Sequence, residues 1–244
     1  MSQPIEGDGT PEAAWSSWPR LGTLPWLALG GCSTALVVAP HPDDEVLGAG
    51  GVLVELRRRG SEISVLAVTD GEASHPSAAV APATLGARRA AESEAAMREL
   101  LDGCPIDRLG LPDGDLAARE PAIRCAVEER LAPGAWCFAP LRQDGHPDHE
   151  AAARATALAC ERRGARLVEY PIWMWHWSAP GDPRIPWERA RRARLTADAR
   201  RRKSRAIATF ASQIAPISSA AGGEAILPPS VLERFLRPAE VLFT

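Results

Sequence analysis

VVAPHPDDEVLGAGG, residues 37–51, passes from an apolar run into a His, two Asp and a Glu within five positions, and then into a helical pattern. The apolar residues before Pro40 read as a buried strand, Ala35–Ala39. Beyond the acids, Val46, Gly50, Leu53 and Leu56 recur one turn apart, which predicts a helix from about Glu45 to Arg59, stopped by Gly60. A strand, a tight turn and a helix open a βαβ unit, with the polar cluster at the carboxyl end of the strand.

Outward from this stretch the same alternation repeats. Strands are expected at Ile63–Thr69, Asp107–Leu111, Ala135–Ala139 and Arg166–Trp173, and helices at Thr84–Leu101, Ala122–Leu131 and Asp148–Arg163. Strands alternating with helices of this length imply right-handed crossovers and a mostly parallel central sheet with helices on both faces, an α/β three-layer sandwich. Residues 1–31 are rich in Gly, Pro, Ser and Trp and show neither period, so they are expected to form an N-terminal arm on a single domain of residues 32–244.

Composition narrows the classes. A chain of 244 residues suits one large α/β domain. The net charge of -3 argues against a nucleic-acid partner. No apolar segment approaches bilayer length and the N-terminus lacks a signal-peptide pattern, so no membrane partner and a cytoplasmic address are expected. The five cysteines are odd in number, scattered and never in a CxxC spacing, and read as reduced, buried hydrophobes.

In an open α/β sheet, ligands bind beyond the carboxyl ends of the strands. Four exits here carry acids: HPDDE (His41 to Glu45), TDGE (Thr69 to Glu72), LPDGD (Leu111 to Asp115) and PLRQDGHPDHE (Pro140 to Glu150). Helix capping accounts for one acid after the first strand but not for the His. A phosphate loop is excluded on charge and because Gly48 to Gly51 lacks the GxGxxG spacing. A bound cation removes the repulsion. His41 and Asp44, three apart across one turn, can face a common centre, and His146 and His149 repeat that separation with an Asp between. Two such turns would bring two His nitrogens and one carboxylate oxygen to a divalent ion with a position left for water, the mark of catalytic zinc. Asp43 is then the candidate general base. His146 is the candidate acid and oxyanion partner, with Asp148 placed to orient it and raise its pKa. Spacing alone leaves open which Asp ligates and which is the base.

APHPDDE at 39–45 and GHPDHEA at 145–151 resemble the PIG-L (LmbE-like) family of metal-dependent de-N-acetylases. The match extends over roughly residues 34–215, with TDGE at 69–72, RRAAE at 88–92, LPDG at 111–114 and SQI at 212–214 as weaker landmarks. The resemblance implies a Rossmann-like fold and a metal, usually Zn2+, with Fe2+, Co2+ or Mn2+ as alternatives. It implies removal of an N-acetyl group from an N-acetylated amino sugar or its glycoconjugate, a small-molecule partner, with release of acetate and a free amine. Carried over by motif, His41, Asp44 and His149 are the ligands, Asp43 the base, and His146 the acid or oxyanion partner with Asp148 behind it. Asp113 matches a position that often contacts a sugar hydroxyl, although an ordinary Asp-Gly turn accounts for it too. Two departures stand out. Asp144 occupies a position where some relatives have a Tyr at the oxyanion site, and ATFASQI lacks the His that many carry before SQ.

YPIWMWHWSAP, residues 170–180, alternates as an extended chain would, with Trp173, Trp175 and Trp177 on one side and Ile172, Met174 and His176 on the other. Indole faces suit sugar rings, so Trp175 and His176 join Asp113 as candidate substrate contacts, with core packing as the alternative. His75 is open to the same two readings. Residues 184–205 hold ten Lys/Arg against two acids and read as a basic helix whose plainest role is a solvated face. Three rival functions remain: a zinc amidase for a thiol conjugate or a longer N-acyl group, a non-catalytic carbohydrate-binding relative, and a two-metal phosphoesterase. The second would lack Asp43 or a ligand, and the third needs more ligands than these exits offer.

Overall fold

Val37 and Val38 are adjacent and both fully buried, because the strand that carries them has a hydrophobic layer on each side. The computed structural model describes residues 7–77, 80–219 and 222–244. In chain order its elements are α1 (Glu12–Ser16), α2 (Pro19–Thr23), β1 (Thr34–Ala39), α3 (Asp44–Arg58), β2 (Glu62–Ala67), α4 (Pro82–Leu101), β3 (Ile106–Arg108), α5 (Glu120–Arg130), β4 (Trp136–Pro140), α6 (Pro147–Arg163), β5 (Arg166–Tyr170), α7 (Met174–Trp177), β6 (Ala190–Arg194), α8 (Ala197–Ile207), α9 (Ala211–Ile214), α10 (Pro229–Leu232) and β7 (Ala239–Phe243). Short 3-10 turns precede α5 and follow α10.

The seven strands form one sheet in the order β3-β2-β1-β4-β5-β7-β6. β1 to β5 are parallel, with Ala35 opposite Ile63 on one side and opposite Trp136 on the other. Val37 packs with residues of α3, α4 and α8 in one apolar layer, while Leu36 and Val38 pack with α5 and α6 in the other. This is the three-layer α/β sandwich expected from the alternation. The winding reverses between β1 and β4, so the two strands that end in HPD are hydrogen-bonded neighbours at the crevice where such sheets bind ligands.

The C-terminal third departs from expectation. Residues 184–205 are not one basic helix: Ala190–Arg194 is a strand, antiparallel to β7, and the helix starts only at Ala197. Nor is the basic run wholly solvated. Lys203 is buried, its Nζ donating to Leu47 O (2.8 Å) and Glu240 Oε1 (2.7 Å), and the same carboxylate accepts from Gly51 N and Val52 N inside α3. A buried ammonium persists here because a carboxylate and a carbonyl replace its water.

Residues 170–180 do not run extended. After β5 the chain curls into α7, because the Asp144 carboxylate gathers the backbone N–H groups of Ile172, Trp173 and Met174 at 2.8–3.1 Å. The turn sends Trp175 into the core, where it meets Trp15 edge-on at 4.9 Å between centroids. Trp15 is itself fully buried and donates to Trp175 O (3.0 Å), and burying an indole contributes on the order of 2–3 kcal/mol. Further along the N-terminal segment, Pro25 O accepts from Arg192 N and Leu27 N donates to Arg192 O, so the chain lies along the outer edge of β6.

Candidate metal centre

The turn after β1 and the first residue of α3 place His41, Asp43 and Asp44, and the turn after β4 and the first turn of α6 place Asp144, His146, Asp148 and His149. Asp43 sits at the start of α3 with φ +120°, a region costly for a side chain that has a Cβ. Three contacts hold it there. Asp43 N donates to Glu45 Oε2 (3.1 Å), and Arg89 donates from Nη2 to Pro42 O (2.8 Å) and to Asp43 Oδ2 (3.3 Å). Arg89 Nη1 also reaches Gly71 O, passing so close that a Cβ on Gly71 would lie 2.0 Å from it. Glu45 is buried, receives the Ser93 hydroxyl, and is pushed up to about 7 by burial.

Three atoms then converge. His41 Nδ1 and His149 Nε2 are 3.2 Å apart, His149 Nε2 and Asp44 Oδ2 3.2 Å, and His41 Nδ1 and Asp44 Oδ2 3.4 Å. Ligands at about 2.0–2.1 Å around a tetrahedral ion lie roughly 3.3–3.4 Å from one another, so this triangle fits one face of such a site. The second nitrogen of each ring is already engaged. His149 Nδ1 donates to Asp144 Oδ2 at 2.7 Å, and His41 Nε2 lies 3.0 Å from Asp113 Oδ1 and 3.4 Å from Asp148 Oδ2. Carboxylates behind the rings fix the tautomers and turn the remaining lone pairs to the shared centre, as around a metal-binding imidazole.

Electrostatics agree with a cation site. Burial alone would lower the pKa of both rings, but Asp113, Asp148 and Asp44 carry His41 well above its usual value, and Asp44 with Asp144 carries His149 up to about 9. Asp44 is held far below the usual carboxylate range: burial opposes this, and the two imidazoles outweigh it. Asp113 falls to about 2 because His41 outweighs its burial. Asp43 is different. Burial pushes its carboxyl up to about 8, Arg89 opposes, and Asp44 and Glu45 add to the rise.

Among the described residues a second cluster, His41, His146 and Asp148, also brings three ligand atoms together. It suits an ion less well. Asp148 spends its oxygens on Gly114 N (2.8 Å) and Leu116 N (3.1 Å), and His146 Nδ1 accepts from Asp148 N (3.2 Å). The expectation that the Asp148 carboxylate orients His146 is therefore not what the contacts show, and although its charge does raise the pKa of that ring, burial and the two neighbouring imidazoles outweigh it. The carboxylate backs His41 and the loop after β3, and only the Asp148 backbone holds His146. Burial, with His149 and His41 nearby, lowers His146 to about 3. The ring is neutral, and with Nδ1 accepting, its donor is Nε2–H.

A cavity of about 560 Å³ opens over the triad, and His41, Asp43, Asp44, Asp113 and His146 line it. His176 lines it as well, with Nδ1 3.0 Å from Arg234 Nη1. Trp175 does not: the indole that reaches the cavity is Trp173, because the helical turn parts it from Trp175 and groups it with Ile172 and His176. Asp113 stands both on the cavity and behind His41. His75 is spent on a loop contact, Nε2 to Glu224 O at 3.1 Å. Two functional residues escaped the sequence reading. Arg89 lay in the RRAAE landmark without a role, and Asp144 was visible only as a departure from a Tyr.

A doubly wound α/β fold with two imidazoles and a carboxylate converging at its switch point, and a further acid beside them, defines a candidate metal site at the crevice where such sheets bind ligands. The family model for GlcNAc-PI de-N-acetylase (PIG-L) matches residues 36–160, and the chain belongs to this family. It is 32% identical over 122 residues to a diacetylchitobiose deacetylase of Thermococcus kodakarensis, covering 47% of this chain and 44% of that protein. It is 27% identical over 173 residues to a 1D-myo-inositol 2-acetamido-2-deoxy-alpha-D-glucopyranoside deacetylase of Mycolicibacterium gilvum, covering 60% and 59%. The chain spans about half the length of the curated relatives it matches. Among solved structures, a conserved protein from Thermus thermophilus superposes with a TM-score of 0.61 at 26% identity, over 86% of this chain and 93% of that one. Among the described residues no helix is long and apolar enough to cross a membrane.

Proposed function

We propose that this protein is a zinc-dependent de-N-acetylase that hydrolyses the acetamide of an N-acetylated amino sugar or its glycoconjugate. The observation that carries this reading is the triangle of His41 Nδ1, His149 Nε2 and Asp44 Oδ2, with Asp43 beside it on the same cavity wall. The deacetylase names of the curated relatives support it.

Held by these three residues, zinc would supply Lewis-acid polarisation of the amide oxygen and would acidify water towards neutrality. Asp43 takes the proton as the water oxygen forms its bond to the carbonyl carbon. A divalent charge next to it favours its ionised form, and burial then lets it keep the proton it has gained. His146, neutral and donating through Nε2–H, stabilises the oxyanion. When the C–N bond breaks, Asp43 returns the proton to the departing nitrogen, so one water is consumed and acetate and amine are released. Asp113, Asp148 and Asp144 hold the two ligand rings, and Arg89 holds Asp43.

The test is acetate release from a panel of N-acetylglucosamine derivatives by zinc-loaded and chelator-stripped protein. Release that depends on zinc is expected. A zinc-loaded protein that frees no acetate from any member of the panel refutes the assignment.

A further inference from the structure

The cavity lining divides by chemistry. Its polar groups come from the strand exits around the triad and from Arg89, His176 and Gln213, while Ile172, Trp173, Ile226, Leu227, Pro228 and Val231 add a surface of hydrocarbon and indole. We propose that this wall receives an apolar aliphatic or aromatic group carried by the substrate, in addition to the sugar; the inference rests on the de-N-acetylase reading and names the substrate class more closely.

Three observations support it. The first is size: about 560 Å³ lies within the ~300–1,000 Å³ range of sites for drug-sized ligands and leaves room beyond one sugar ring. The second is polarity. A hexosamine has a hydroxyl or amide on most of its carbons, and these would find no partner against the five aliphatic side chains of this wall, a loss for every group so desolvated. An apolar substituent meets them without that loss and frees water from both surfaces.

The third is that the wall is built in advance. Leu227 N donates to Gln213 O (2.9 Å). Arg234, one turn beyond α10, reaches His176 Nδ1 (3.0 Å) and donates to Asp8 O (2.9 Å), and Thr10 N donates to His176 O (2.8 Å). Gly9, at φ +60°, lies so close that a Cβ there would come within 2.6 Å of the His176 ring. The segments 7–10 and 225–235 and the α7 turn are thus locked together, so little ordering is left for the ligand to supply.

The apolar group has two possible sources, the glycosidic position and the acyl chain, and two arms separate them. One compares kcat/KM for the hexyl and methyl β-glycosides of N-acetylglucosamine. The other compares N-hexanoyl- with N-acetylglucosamine. Each buried methylene gives about fourfold, so a preference of at least tenfold is expected in one arm. In the variants Ile226→Asn and Val231→Thr that ratio should fall towards one; the first position is half-buried and the second change is isosteric, so both should fold. An enzyme that cleaves the methyl glycoside but shows no preference in either arm overturns the inference and leaves the proposed function standing. If no sugar amide is cleaved, the proposed function falls, and calorimetry of the zinc-loaded protein decides the rest. Hexyl β-glucoside binding at least tenfold tighter than methyl β-glucoside keeps the apolar site, and equal or undetectable binding of both removes it.

Discussion

Replacing Asp144 by Asn tests how the centre is built, because the change preserves shape and removes one acceptor. The carboxylate is fully buried and receives four donors: Ile172 N (2.8 Å) and Met174 N (3.1 Å) on Oδ1, His149 Nδ1 (2.7 Å) and Trp173 N (3.1 Å) on Oδ2. Whichever way the amide turns, its NH2 faces two of these donors. A buried N–H group without an acceptor costs about 1–3 kcal/mol, and one or two are left according to the orientation, so the metal-free variant should lose about 1–6 kcal/mol in urea unfolding. If the NH2 faces His149, the ring must shift its proton to Nε2, the atom that meets His41 and Asp44. Loss of such a partner lowers metal affinity about 10–100-fold. Chelator-competition titration with zinc reads that loss directly. A variant with wild-type zinc affinity and an unchanged unfolding midpoint would refute the role given to Asp144.

Asp43→Asn should keep zinc stoichiometry and reduce kcat for acetate release by about 10²–10⁴, the usual worth of a positioned base; an unchanged kcat dismisses Asp43 from that role. His149→Ala should leave the protein with substoichiometric zinc after dialysis, and full occupancy by metal analysis contradicts the ligand set. Zinc affinity should rise with pH between 6 and 8: His149 titrates at about 9, so the metal-free protein is protonated there and the ion must expel that proton, gaining about tenfold per pH unit for each proton expelled. A flat profile across that window rules this out. Lys203→Met leaves Glu240 buried with an unpaired charge and should cost about 3–5 kcal/mol in urea unfolding, while adding Glu240→Gln should restore part of it; equal stability of the single variant and wild type would show the pair to be dispensable.

The centre was legible where its cause is local. Each HPD run lies on a strand-to-helix turn, and the parallel alternation brings the two strand ends to one rim, so two imidazoles and a carboxylate from these two runs could be placed around one centre from the chain alone. What escaped depends on residues far apart. Asp144 shapes residues 172–174, some thirty positions away, and without that anion the WMWHW alternation reads as a strand. The Arg-rich strand hid for another reason. Ala190 and Ala193 are its buried residues, three apart, which imitates a helix rather than the twofold period of a sheet. Which of the two adjacent acids ligates beside His41 and which acts as base was not in the spacing at all, and rested on the family motif.

The N-terminal segment that hydrogen-bonds along β6 has a consequence for handling the protein. An outermost strand with free amides and carbonyls is a template for another chain, and proteins shield such borders with charge or cover. Here Pro25 and Leu27 occupy the backbone of Arg192, while Trp26 lies 4.1 Å from the Arg192 guanidinium and 5.0 Å from that of Arg194. Trimming the chain to its sandwich would strip this guard and leave a strand ready to recruit copies of itself, so turbidity on concentration, more than any loss of catalysis, is the first symptom to expect from a shortened version.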